Sequence, residues 1–255
     1  MTVYAFLGDF GGAVDFILHS RESQAGGSRI GGSENLPLLW THLEVVGLSM
    51  AAALLVALPL GLLLGHTGRA AFLAISTSNV GRAVPSIALI AFFYAFLTGV
   101  AELTLVVIAL ALLAIPPILT NTYVGVRQVS REAVDAARGM GLSAGQVVRQ
   151  VELPLALPLI FGGIKTSTVN VIATATIAPL FGVVTLGDPI ISSSVYGREG
   201  QIGASIMVAA LAVAAEVGLS AVQRAVTPTG IKLERGTIAH RFRITTPERK
   251  VQTVP

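Results

Sequence analysis

Ser130-Arg-Glu-Ala-Val-Asp-Ala-Ala-Arg-Gly-Met-Gly141, continued by Leu142-Ser-Ala-Gly-Gln-Val-Val-Arg-Gln-Val-Glu-Leu-Pro154, is the one long segment lying wholly between apolar runs that is both polar and strongly helical in pattern. It reads as two short helices joined at a glycine corner. Ser130 can cap the first, Arg131 and Asp135 stand at i, i+4 for an ion pair, and Gly139 or Gly141 can take the left-handed conformation that ends it. The second restarts at Ser143, with Gln146 three residues on to complete a capping box. Pro154 and Pro158 then mark re-entry into apolar sequence. An elbow of this kind is rigid, and a rigid elbow can pass force to a soluble partner where a floppy loop cannot.

Apolar runs of membrane-crossing size flank it. A hydrocarbon core of about 30 Å needs roughly 20 apolar residues. Leu103 to Leu119 precedes the elbow and extends through Thr122, and Ile160 to Val184 comes after it, with its helix starting near residue 154. Further out, Leu43 to Leu64 and Ile202 to Val222 are also long enough. Ala83 to Leu97 is too short alone and is preceded by a polar stretch from Ser76 to Arg82. It reads as the end of one element, 70–97, kinked at Pro85-Ser86. The expectation is an all-α membrane protein with five spans, near 43–64, 70–97, 103–122, 154–184 and 202–222, and a loop at 123–153.

Composition agrees. Of 255 residues 53% are hydrophobic and 12% charged, with a mean hydropathy of +0.76, against about 25% charged in a soluble domain. Disorder and nucleic-acid binding are excluded. The absence of cysteine removes disulfides, thiolate metal sites and thiol chemistry. The opening lacks a charged n-region, so no secretory signal is expected. Placing the elbow inside collects twelve of the seventeen Lys and Arg there, among them Arg69, Arg127, Arg131, Arg138, Arg149 and seven from Arg224 onward, and leaves Arg21, Arg29 and Arg198 outside. The positive-inside rule then sets the N-terminus outside and the C-terminus in the cytoplasm.

The ends divide from this core. Residues 1–36 form an extracytoplasmic segment in which Val3 to Leu18, with Asp9, Asp15 and three glycines, lies at the interface, and Gly26 to Ser33 is a linker. Residues 37–224 are the transmembrane domain. Residues 225–255 are a basic cytoplasmic tail able to touch anionic lipid. Within the spans, Ser167, Asn170 and Thr174 share a face of the fourth, and Asn121 and Thr122 lie at the inner end of the third. These five are candidates for a polar pathway, although small polar residues in spans more often hold helices together. Position near a span end accounts for His42, Glu44, Arg82 and Lys165. Glu216, deep in the fifth span, calls for a structural partner.

The elbow also carries a resemblance. Asp135-Ala136-Ala137, three residues, Gly141, nine residues, then Val151-x-Leu153-Pro154 resembles the EAA signature of permease subunits of bacterial ABC importers, with every spacing matched. Asp135 stands where that family usually has Glu, one methylene longer, and Val151 where it usually has Ile. Asn79-x-Gly-Arg-x-Val-Pro85-Ser86 is similar to the polar entry and Pro-Ser kink of the second core helix in these permeases. Pro117 to Arg127, Gly139-Met-Gly141, Val151 to Pro158 and Gly187-Asp188 resemble the permeases that import glycine betaine, carnitine and choline.

The likeness spans about Pro37 to Arg224. It implies a five-span type I importer permease in which Asp135, Ala136, Ala137, Gly139, Gly141, Leu153 and Pro154 couple to an ATPase. It also implies a pair of ATP-binding subunits that hold ATP and Mg, a second permease subunit, identical or related, and an extracellular substrate-binding protein that docks near Asp188 to Gln201.

The chain itself is expected to hold no cofactor and no catalytic residue. Gly162-Gly-Ile-Lys165-Thr166 lacks the Gly-Lys pair of a phosphate loop, and no zinc-protease or nucleophile-elbow pattern occurs. The fifteen aromatics are scattered and form no obvious cage for a quaternary ammonium. An ion-coupled transporter or channel would need intramembrane acids and inverted halves that are not visible. A non-transporting scaffold leaves the spaced signature unexplained. Another small solute, such as an amino acid, stays open as cargo.

Overall fold

The computed structural model describes residues 3–68 and 85–227, with side chains from Gly8 onward. The polar stretch before Pro85, including Asn79 and Arg82, and the basic tail from 228 lie outside the described residues. In chain order the helices are α1 (Val3–Leu18), α2 (Asn35–Thr67), α3 (Ser86–Phe96), α4 (Glu102–Arg127), α5 (Arg131–Gly139), α6 (Ala144–Val147), α7 (Leu153–Thr174), α8 (Asp188–Ile191) and α9 (Ser193–Val226). A π-helical turn, Val148–Glu152, joins α6 to α7, and a 3-10 stretch, Ala175–Phe181, extends α7.

Among the described residues, four helical stretches are long and apolar enough to cross a bilayer: Gly32–Thr67, Glu102–Arg127, Ala144–Phe181 and Ser193–Val226. The element expected at 70–97 is described only in its last part. At Pro85, φ −62° and ψ 124°, the backbone is extended, so α3 begins there and is not bent through it. Proline fixes φ and has no N–H to donate, which suits a helix start better than a helix interior.

α4 is the hub. Half of its apolar window is buried, against 17% for α9 at the periphery. One stripe of α2, from His42 through Val45, Ser49, Ala53 and Ala57 to Gly61 and Gly65, turns inward at helical spacing, while Leu55 and Leu63 face out. The stripe ends in Gly-x-x-x-Gly, and there the helices touch. A Cβ on Gly61 would stand 2.6 Å from Thr122 Cβ, and one on Gly65 2.7 Å from Val126 Cβ. Without a hydrophobic drive between helices in lipid, this close backbone approach supplies the packing energy. The main core sits where α2, α4 and α7 meet, around Val45, Val106, Leu110, Ile118, Val171 and Ile172.

The N-terminal segment is more ordered than a linker. Ser20–Glu22 pairs antiparallel with Arg29–Gly31, with Arg21 opposite Ile30, because Gly26 and Gly27, at φ 77° and 74°, reverse the chain tightly. α1 lies against the first turns of α9, where Phe16 is fully buried over Gly200 and Gly203. Arg21 pairs with Glu199, and Arg198 with Asp9 at 3.2 Å. In α9 the helix is interrupted at Gly197, φ 69° and ψ 178°.

Candidate functional site: the elbow and the polar positions of the bundle

The elbow runs from Gln128 to Glu152, shorter than expected at its start because α4 continues through Tyr123 to Arg127. Ser130 Oγ accepts a hydrogen bond from the Ala133 N–H at 3.3 Å and caps α5. The expected Arg131–Asp135 ion pair does not form. Both residues are exposed, and a surface pair of this kind contributes little. The left-handed residue beyond the end of α5 is Gly141, φ 86°; Gly139 is still helical. The Leu142 N–H reaches back to the Ala137 carbonyl at 3.2 Å and the Met140 N–H to Ala136 at 3.0 Å, which closes the helix end. The Ser143 N–H donates to Gln146 Oε1 at 2.8 Å in the capping box.

Buried Ala137 and Val147, with Glu152 at its end, anchor this elbow, and the rest of its tip is open. Asp135, Ala136, Gly139 and Gly141 are exposed, as is Met140 at 75%. The residues expected to couple therefore divide. Ala137 turns inward, and Leu153 packs against the small cluster of Val126, Ala156 and Ile160. Pro154 is half-buried in the first turn of α7. Neither Pro154 nor Pro158 interrupts the chain's passage into the span. The helix is continuous from Ala144 to Phe181, so the second arm of the elbow and the span are one body.

Two residues that carry no motif in the sequence lie beneath the elbow. Glu152, the unspecified position of the Val151-x-Leu153 signature, is 4% exposed. His66 Nδ1, from the last turn of α2, stands 2.8 and 2.9 Å from its two carboxylate oxygens. The pair floors a cleft of about 300 Å³ whose walls carry Arg127, Arg131, Asp135 and Arg138. No local signal marks these residues as partners, because 86 positions separate them.

The candidate pathway residues also separate. Ser167 is fully buried, and its hydroxyl donates to the Ala114 carbonyl of α4 at 2.8 Å, a link between helices. Asn170 is exposed, and Thr174, half-buried, donates to the Asn170 carbonyl at 2.8 Å. Thr122 is completely buried against Gly61, so it lines no opening; the close approach of α2 and α4 shuts it in. Asn121 Nδ2 donates to the Pro117 carbonyl at 2.8 Å, beside Gly163 of α7.

Glu216 has the structural partner its depth calls for. It lies 3.5 Å from Lys165 Nζ, which also donates to Ser220 Oγ at 3.2 Å. His42 needs more than an end effect. It is fully buried, and its Nε2 stands 3.1 Å from the Ile172 carbonyl, tying α2 to α7. Glu44 is exposed. At the end of the bundle away from the elbow, Asp188 accepts from Ser192 Oγ at 2.9 Å and Tyr196 Oη at 2.8 Å, which fixes the turn between α8 and α9. Among the described residues no His, Asp and Glu gather in a metal-binding group.

Among the described residues, three apolar helices of membrane-crossing length gathered around a fourth, α4, with one rigid elbow fused to a span, define a multi-pass membrane subunit of the transporter type. The sequence profile of the binding-protein-dependent transport system inner membrane component matches residues 57–229, and the chain belongs to that family. It is 37% identical over 202 residues to a choline transport system permease protein, OpuBB, of Bacillus subtilis, covering 79% of this chain and 92% of the relative. It is 36% identical over 202 residues to the glycine betaine/carnitine/choline transport system permease protein OpuCB of the same organism, with the same coverage. Among solved structures, an inward-facing form of the MetNI methionine ABC transporter superposes with a TM-score of 0.67 at 21% identity, over 76% of this chain and 96% of that one. That likeness shows the fold of an ABC importer permease. The chain is thus the non-enzymatic membrane subunit of an ATP-driven importer.

Proposed function

We propose that the cargo is a small quaternary amine of the glycine betaine, carnitine and choline class. The chain forms part of the pathway and alternates between outward- and inward-open states as a two-state rigid-body device. The observation that carries the mechanism is the elbow itself. Its tip, Asp135 to Gly141, exposed except at Ala137, is tied by a tight turn to the helix that runs unbroken from Ala144 through α7, so a push on the tip moves a span. The elbow faces the cytoplasm, where a pair of ATP-binding subunits holds ATP and Mg and grips it. The N-terminus and the α8–α9 turn face outside, where a substrate-binding protein docks. A second permease subunit, identical or related, completes the pathway, and exposed Asn170 and half-buried Thr174 face it. The Bacillus subtilis relatives support the cargo class; Ser167, Thr122 and the Lys165–Glu216 pair act as helix contacts.

The test is reconstitution of the complex with its ATPase and binding protein in liposomes, with radiolabelled choline and glycine betaine as probes. Uptake that requires ATP on the elbow side, and that is blocked by an excess of unlabelled carnitine, is the expected result. Accumulation driven by an ion gradient without ATP would refute the reading.

A further inference from the structure

We infer that the His66–Glu152 pair is a positioning joint through which the elbow's movement reaches α2 as well as α7. The inference rests on the importer reading. Glu152 closes the π-helical turn Val148–Glu152. Such turns insert a residue into an α-helix, re-aim the helix beyond them, and recur at functional sites. Here the carboxylate is carried under the elbow, out of water, and both of its oxygens meet one imidazole nitrogen at 2.8 and 2.9 Å. The side chains are 15% and 6% exposed, so the contact is screened far less than a surface pair.

The surroundings are built to make that contact carry force. His66 sits one residue after Gly65, where α2 is wedged on Val126 of α4, and two before Gly68, whose absent Cβ would meet the Arg127 guanidinium at 2.9 Å. Glu152 is succeeded at once by Leu153, packed on Val126, Ala156 and Ile160, with Leu58 and Leu62 of α2 against the same cluster. Three helices therefore converge within two turns, and the polar tie between the end of α2 and the elbow side of α7 is His66 to Glu152. Without it, an apolar seam remains that can slide. With it, the elbow, the start of α7 and the end of α2 move as one body, and the joint stays closed through the cycle.

The experiment uses the whole complex in liposomes and reads substrate imported per ATP hydrolysed. His66→Leu and Glu152→Leu should assemble and hydrolyse ATP but import about tenfold less per ATP, within the range of typical coupling free energies. His66→Asn, whose amide can donate from near the Nδ1 position, should restore most of the ratio. An unchanged ratio in both leucine variants overturns the inference, as does failure of Asn to rescue where assembly is intact.

Should the leucine variants not assemble, the chain's lack of native cysteine offers a second route. Cysteines at 66 and 152, joined by a thiol cross-linker of the native span, should leave uptake intact, and a block would overturn a permanently closed joint. Wild-type complex that shows no ATP-dependent uptake would count against the importer reading and leave the joint's own result separate.

Discussion

Ser167 and Asn170 stand three residues apart on α7 and do different work. Ser167 is sealed against the Ala114 carbonyl, whereas Asn170 is open to the surface. A hydrogen bond between spanning helices contributes on average about 0.6 kcal/mol and at most about 1.7. Ser167→Ala should therefore lower stability by about that amount, seen as a small shift in unfolding of the detergent-solubilised complex, with uptake unchanged. Asn170→Leu should reverse the pattern, with unfolding unmoved and uptake reduced. Sequence places both on one face but does not tell them apart, because the neighbour that decides it is 53 positions away in α4. The same holds for His66, Glu152 and His42, whose partners are remote in sequence. Ser130 and the Ser143–Gln146 box are legible because cap and capped group lie within three residues.

At the scale of the element, α5 and its turn make the elbow stiff. Gly141 holds φ 86°, and a Cβ there would meet nothing within 4 Å, so a substitution is opposed by backbone conformation alone. For a residue with a side chain the left-handed region costs roughly 1–2 kcal/mol, enough to re-aim the tip without unfolding a bundle held elsewhere. Gly141→Val should leave assembly and ATP hydrolysis in place while uptake per ATP falls. Uptake at the wild-type ratio would show that the tip's angle is immaterial. Apolar runs locate these elements, and helix ends are harder. Tyr123 to Arg127 reads as loop because polar residues appear before the helix stops. Pro154 reads as a start because a first-turn proline is indistinguishable in sequence from one placed just after a π-helical turn. The hairpin at Ser20 to Gly31 is hidden in glycines that suit a linker equally well.

For the whole molecule, burial is graded. α4 is the buried centre, and α9, with 17% of its window covered, leaves most of its surface for lipid or for a second subunit. The α2–α4 contact through Gly61 and Gly65 and the α4–α7 contact through Gly163 hold the centre at close range. The overall class is legible from hydropathy and the spaced elbow, since both are properties of one stretch at a time. The order of packing is not, because it depends on which apolar stripes face each other. α1, which packs on the first turns of α9 through Phe16, adds a second tie at the end away from the elbow.

The central claim is that the elbow is a handle on the cytoplasmic side gripped by an ATPase. Met140, 75% exposed at the tip of a chain without cysteine, gives the most direct test. A Met140→Cys variant carrying a thiol-attached photo-cross-linker should join to the ATPase subunit, and a membrane-impermeant thiol reagent should label it in inside-out vesicles but not in right-side-out ones. Labelling from the outside, with no cross-link to the ATPase, would contradict the account.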